Sequence, residues 1–441
     1  MPGVSDRPGT GNVASPVAAL VAPATAQSAL FRQRNFAALW WGQVVSLTGE
    51  RCAYLALVAM VAEQTHGLGD ARSASLLSLL AKVMLAPVLL FAPFVGARID
   101  RWNLRHVVVT CDILRGAIVL LVPVVVRLSG EIAPVYLMLF LLFTCGVFFL
   151  PAKSSLTPEI VPGTQLLAAN TWLTVAGIVA TGIGMLGGGW LVDHWGWVRA
   201  LELNGVAYWV SAGSMLAIRY TPRPRTPAAS LPGMGNYLQQ LREGWGVVRD
   251  TPTIAVALGA LAVAWWSGGF LHVAGIVHVQ RATGVPGVER MGWLFAVLGI
   301  GGGLSAWWIN TLAKQATRPR WVSWALVTAG AGLLLFAVSR RFPVMIAAAF
   351  LIGLAVSPIL LLGETMLQQG STPGMRGRVF ASRDFFVRAV LLVSVTAAAW
   401  LTRAWGAPHA LMACGGGVVA AGLLVLGVGS RRGLAGPTAR R

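Results

Sequence analysis

About twelve apolar runs, each long enough to cross a bilayer, follow one another between residues 36 and 429. A helix rises about 1.5 Å per residue, so roughly 20 apolar residues span a hydrocarbon core ~30 Å thick. No water is available there to satisfy backbone N–H and C=O groups. The runs are too many and too long for soluble cores, and only 11% of residues are charged, against about 25% in ordinary soluble domains. The expected fold class is an all-α membrane protein with twelve transmembrane helices. The spans lie near 36–63, 73–97, 106–127, 133–153, 166–190, 199–218, 253–280, 288–311, 321–339, 343–368, 379–402 and 407–429. The shortest separations are at Gly196 and Arg341.

The formal net charge of +19 raises nucleic acid as a partner. The basic residues are scattered over short loops, which argues against it. Three of the 34 basic residues are Lys (Lys82, Lys153, Lys314) and the rest are Arg. They gather on one side of the expected spans. That side carries Arg32 and Arg34; Arg98, Arg101 and Arg105; Lys153; Arg219 to Arg249; Lys314, Arg318 and Arg320; Arg376, Arg378 and Arg383; and Arg431 and Arg432. By the positive-inside rule this is the cytoplasmic side, and both termini lie there. Cys52, Cys111, Cys145 and Cys414 all fall in apolar runs, with no disulfide or metal spacing. Residues 1–30 are rich in Pro, Gly, Ala and Ser and read as a disordered tail, not a signal peptide.

The longest connection, 219–250, opens with Pro222, Pro224 and Pro227, which no helix accommodates. It then turns amphipathic from Tyr237 to Trp245, as a helix at a membrane surface would. It divides the chain into six-helix bundles at 31–218 and 251–430, followed by a basic tail at 431–441. The halves echo each other. Pro162-Gly163 after span 4 and Pro373-Gly374 after span 10 each lead into a new helix. Two pseudo-symmetric bundles with a site between them are how many secondary transporters are built.

One short loop is the most specific signal. Gly96-Ala97-Arg98-Ile99-Asp100-Arg101-Trp102-Asn103-Leu104-Arg105 sets a glycine, a carboxylate and spaced arginines at the rim between spans 2 and 3. Such a charge cluster can hold helices in one arrangement and release them in another. Gly96, Asp100-Arg101 and Arg105 resemble the signature of the major facilitator superfamily, with departures at Asn103 and Leu104. The resemblance covers about Phe31 to Ser430.

Asn35 to Gln43, Asp112 to Arg115, Pro151-Ala152-Lys153 and Pro158 to Pro162 look like the branch of enterobactin and macrolide exporters. They also look like the related lysophospholipid transporters. Gly182, Gly184, Gly187, Gly188 and Gly189 resemble the glycine-rich span 5 of drug:proton antiporters, with Met185 where those have proline. Physically, small residues there also allow close helix packing. The resemblance implies that Asp100 braces the start of span 11. Arg101 or Arg105 would pair with Glu159 to hold the cytoplasmic side closed.

Ionisable groups at bilayer depth are expensive and usually pair or face a cavity. Glu50 and Lys82 sit at matching depth and read as a pair; Glu50 can alternatively carry a proton or cation. Asp112 and Arg115 lie i,i+3 on one face of span 3. Glu364 lies in span 10, and Arg388 is deep enough in span 11 to face a central cavity. With Lys82 and Arg115, Arg388 would favour an anionic or zwitterionic substrate. Trp265, Trp266, His272 and His278 in span 7 are weaker candidates, since such residues commonly pack or find a single satisfied partner.

No phosphate-binding loop, nucleophile elbow, zinc spacing or dinucleotide fingerprint occurs, so neither an enzyme nor a cofactor or metal site is expected. The resemblance implies a monomeric secondary transporter of the bacterial inner membrane, surrounded by lipid. It would be an alternating-access antiporter that exports a small amphipathic molecule, drug- or siderophore-like, against H⁺ or Na⁺. The alternatives are a lysophospholipid flippase and a non-transporting scaffold. The buried charges argue against the scaffold.

Overall fold

The computed structural model describes residues 30–99, 102–219, 221, 234–283, 288–312, 319–372 and 374–431. Among them every regular element is a helix. Residues 1–29 of the expected N-terminal tail, Pro222 to Pro227, Asp100, Arg101, Lys314, Arg318, Pro373 and Arg432 lie outside the described residues.

Spans 1 to 4 are α1 (Arg34–Gln64), α2 (Asp70–Ile99), α3 (Leu104–Ser129) and α4 (Ala133–Ile160). Local chemistry sets their ends. The Asn103 side chain accepts from the backbone N–H of Arg105 (3.1 Å) and His106 (3.4 Å), capping α3. Gly130, at φ 67°, ends it in the left-handed region. A proline in the first turn opens α4.

Leu166–Leu216 is a continuous run of helical residues broken at Gly196, where φ is 81° and ψ 161°. That conformation is essentially restricted to glycine. It divides the run into α5 (166–195) and α6 (197–216), spans 5 and 6. The other short separation, at Arg341, is likewise non-helical.

The amphipathic helix α7 (Met234–Asp250) follows. Its apolar face is covered by span 11: Ser382 Oγ donates to the Leu241 carbonyl at 3.0 Å, Glu243 pairs with Arg378 at 2.5 Å, and Trp245 meets Phe386 edge to face. Span 7 is α8 (Pro252–Phe270), a π-helical turn (Leu271–Gly275) and α9 (Ile276–Thr283). The remaining spans are α10 (Glu289–Leu312), α11 (Pro319–Val338), α12 (Phe342–Gly370), α13 (Arg376–Trp405) and α14 (Ala407–Arg431).

The most extensive contacts between the first and second halves of the chain are span 2 with span 11 and span 5 with span 8; among the described residues span 2 also meets span 7. Small residues bring spans 5 and 8 close. A Cβ on Gly189 would stand 2.8 Å from Glu289 Cα, and one on Gly292 would stand 2.4 Å from the Met185 carbonyl oxygen. Gly184 and Gly188 do the same against Thr48 and Cys52 of span 1. Of the five glycines singled out in span 5, Gly184, Gly188 and Gly189 are therefore packing surfaces, while Gly182 and Gly187 face open space.

Candidate functional site

The polar centre is built on Arg115 of span 3. Its Nη2 lies 3.2 Å from Glu50 Oε2 of span 1, and its Nη1 lies 3.3 Å from Asp112 Oδ1 one turn back. The guanidinium also rests on two aromatic faces, with its carbon 4.3 Å from the Tyr208 ring centre and 5.0 Å from that of Phe149. Asp112 is fully buried, whereas the Glu50 side chain is about one-third exposed, at 34%. One charge is thus sealed and its neighbour faces open space.

That space is a cavity of about 510 Å³. Gln43, Ser46 and Glu50 of span 1 meet Arg115, Lys153 of span 4 and Arg388 of span 11 around it. Apolar walls come from Met84, Val88, Phe143 and Leu150, among others. Lys153 lies seven residues before the end of α4 at Ile160, or ~10 Å along the axis. The cavity therefore reaches from mid-depth toward the end of the molecule where α1 begins and α14 finishes.

At the opposite end the halves are bonded together. The Asp193 carboxylate at the end of span 5 accepts from the backbone N–H of Val288 (2.7 Å) and Glu289 (2.9 Å), capping span 8. A carboxylate there is favoured by the helix dipole. Asp70 at the start of span 2 pairs with Arg281 at the end of span 7. Deeper in, Tyr54 Oη and His272 Nδ1 are 2.7 Å apart.

Of the residues singled out from the sequence, Glu50, Asp112, Arg115 and Arg388 come together. The expected Glu50–Lys82 pair does not form: Glu50 takes Arg115 instead. Lys82 has no ion pair among the described residues and is not part of the cavity wall. The reason is rotational. Met84 and Val88 face the cavity, and Lys82, about 200° from Met84 around the helix, points away.

Glu364 is also elsewhere, paired with Arg383, which in turn pairs with Asp384. Arg105 directs its donors to the carbonyls of Met215 (3.2 Å) and Leu216, so it closes the C-terminus of span 6. Gly96 lies in the last turn of α2, and Glu159 in the last turn of α4.

His278 Nε2 donates to the carbonyls of Phe336 and Ser339, a satisfied structural histidine. Trp265 is partly exposed, and Trp266 packs on Phe270. Lys153 was legible only as a loop charge, because span 4 was expected to stop there. The helix runs on past Pro151 and Pro158 to Ile160 and carries Lys153 inward. Tyr208, Tyr54 and Asp193 had no sequence signal beyond their type. Among the described residues no His, Cys, Asp and Glu cluster could hold a metal.

A family model described as Major Facilitator Superfamily matches residues 39–318. An uncharacterized MFS-type transporter of Mycobacterium tuberculosis is 27% identical over 365 residues, covering 80% of this chain and 82% of the relative. The multidrug efflux pump Tap of the same species is 23% identical over 401 residues, covering 87% and 90%. The crystal structure of the nucleoside transporter NupG superposes with a TM-score of 0.66 at 11% identity, over 88% of this chain and 98% of that one.

Proposed function

The chain belongs to the Major Facilitator Superfamily, and from that premise we propose a proton-coupled exporter of a small amphipathic molecule, working by alternating access. The observation that carries this reading is the cavity, walled by spans of the first half and by Arg388 of the second. It sets a few convergent polar groups in an otherwise apolar wall, as an amphipathic ligand requires. Similarity to a multidrug efflux pump supports the outward direction. The bundles are assigned to 31–218 and 251–430. The arginine-rich end, with both termini, is assigned to the cytoplasm of a bacterial inner membrane. On that assignment the cavity faces the cytoplasm, and Asp193, Asp70 and Tyr54 hold the far side shut. Asp100, Arg101 and Glu159 are proposed to engage when the cytoplasmic side closes in turn.

Glu50 is the proposed coupling group. It borders the cavity and holds Arg115 of the buried Arg115–Asp112 pair, so binding a proton there would weaken its hold on Arg115. The test is uptake into vesicles with imposed pH and Na⁺ gradients, comparing wild type with Glu50→Gln. Wild type should respond to the pH gradient, and Glu50→Gln should lose that response while keeping passive exchange. Equal transport under every gradient would remove Glu50 from the coupling scheme.

Lysophospholipid movement is a second reading. It is favoured by cations set beside the apolar Met84, Val88, Val147 and Leu150. A labelled lysolipid crossing between leaflets in the same vesicles distinguishes it from drug export.

A further inference from the structure

The charges around the cavity are unbalanced, and the excess is divided between the two halves. Arg115, Lys153 and Arg388 line it with a single carboxylate, Glu50, while Asp112 is buried behind Arg115. Both carboxylates bind Arg115. Lys153 and Arg388 make no ion pair or hydrogen bond among the described residues. The Phe149 ring centre lies 5.9 Å from Lys153 Nζ. On the helix of Arg388, Asp384 is one turn away but pairs with Arg383.

Two ordinary explanations for these cations do not fit. Lys153 is not a rim charge, since almost two turns of helix separate it from the end of span 4. Arg388 is twelve residues inside span 11, too deep to serve as a cytoplasmic anchor. Cations held at such depth without an ion-pair partner of their own face a cavity and mark a ligand path.

We propose that Lys153 and Arg388 form a two-sided site for an anionic group, a carboxylate or phosphate, on the transported molecule. The proposal rests on the exporter reading and narrows its substrate class. A monoanion balances the three cations against the two carboxylates. The arginine offers a planar fork and the lysine a point charge, a pairing suited to an oxyanion. Lys153 belongs to span 4 and Arg388 to span 11, on opposite halves. Empty, the two walls repel; with an anion between them both are attracted to it. Bound substrate therefore favours closure of this mouth, because it interacts more strongly with the closed arrangement than with the open one.

The test uses four probes on one naphthalene scaffold: 1-naphthoate, 1-naphthyl phosphate, 1-naphthamide and 1-naphthylmethylamine. Binding to the purified full chain is read from the shift in thermal unfolding, and transport from uptake into vesicles. The carboxylate, the phosphate or both should bind and move in preference to the amide and amine; which of them does so identifies the anion. Lys153→Gln and Arg388→Gln should each weaken anion binding about tenfold or more, the size expected for one charge-assisted contact. Lys153→Arg should retain it. Unfolding curves without probe check that each variant is folded.

The site is refuted if the amide or amine binds as tightly as the anions, or if both Gln variants keep full affinity. Transport of those probes would still leave the exporter reading standing. If no probe binds while another amphipathic dye is moved, only the anion site falls. If nothing moves under any gradient, both fall.

Discussion

Arg115 is held from two sides, and the sides differ in kind. Asp112 is sealed from solvent, while Glu50 borders the cavity. Removing Arg115 leaves a carboxylate stranded at bilayer depth, so Arg115→Met should cost ~3–5 kcal/mol, as for other broken buried pairs. Thermal unfolding followed by tryptophan fluorescence measures the loss. Adding Asp112→Asn should recover part of it, because the stranded charge goes with its partner; no recovery would mean that Arg115 acts through its aromatic contacts. The Asp112–Arg115 pair was legible because both residues sit on one helix, where spacing dictates which side chains meet. The third member was not. Lys82 and Arg115 are equally plausible partners for Glu50 by depth, and only the rotation of spans 2 and 3 about their axes separates them.

At the scale of the element, turns were easier to read than ends. Gly196 and Gly406, between spans 5 and 6 and between spans 11 and 12, have nearly the same backbone: φ 81°, ψ 161° and φ 84°, ψ 159°. Each follows a tryptophan and turns one helix directly back into the next. This geometric repeat is closer than the Pro-Gly echo visible in sequence. Alanine is poorly tolerated in that region, so Gly196→Ala should destabilise by ~1–3 kcal/mol. Because a Cβ there meets no neighbouring atoms, the entire cost is backbone strain. A larger side chain such as Gly196→Val should therefore cost little more than alanine; a steep rise with size in the unfolding midpoints would point to crowding instead. The end of span 4 was hidden for a different reason. Proline usually stops helices in water, but inside a packed membrane bundle neighbouring helices can offset the missing hydrogen bond.

For the whole molecule, the polar side-chain bonds between the halves lie toward one end among the described residues. Asp193 caps span 8, Asp70 meets Arg281, and Tyr54 meets His272, while the cavity reaches toward the other end. Weakening the cap should shift the balance toward the opposite opening. Asp193→Asn is expected to lower thiol labelling of a Ser46→Cys reporter in the cavity from the side proposed to be cytoplasmic. Asp100→Asn, on the other rim, is expected to raise it. Unchanged labelling in both would mean that these carboxylates stabilise the fold without gating it.

The sequence by itself determined the class of molecule. Long apolar runs of this number and length are membrane helices, and a loop of fixed spacing points to the superfamily. These are one-dimensional properties, set by lengths, counts and local dihedral preferences. Tertiary structure alone decided that Arg115 and not Lys82 answers Glu50, that Lys153 belongs to the cavity, and that Asp193 caps span 8. Each depends on how a helix is rotated and where it ends, and both are set by side-chain packing between segments far apart in the chain.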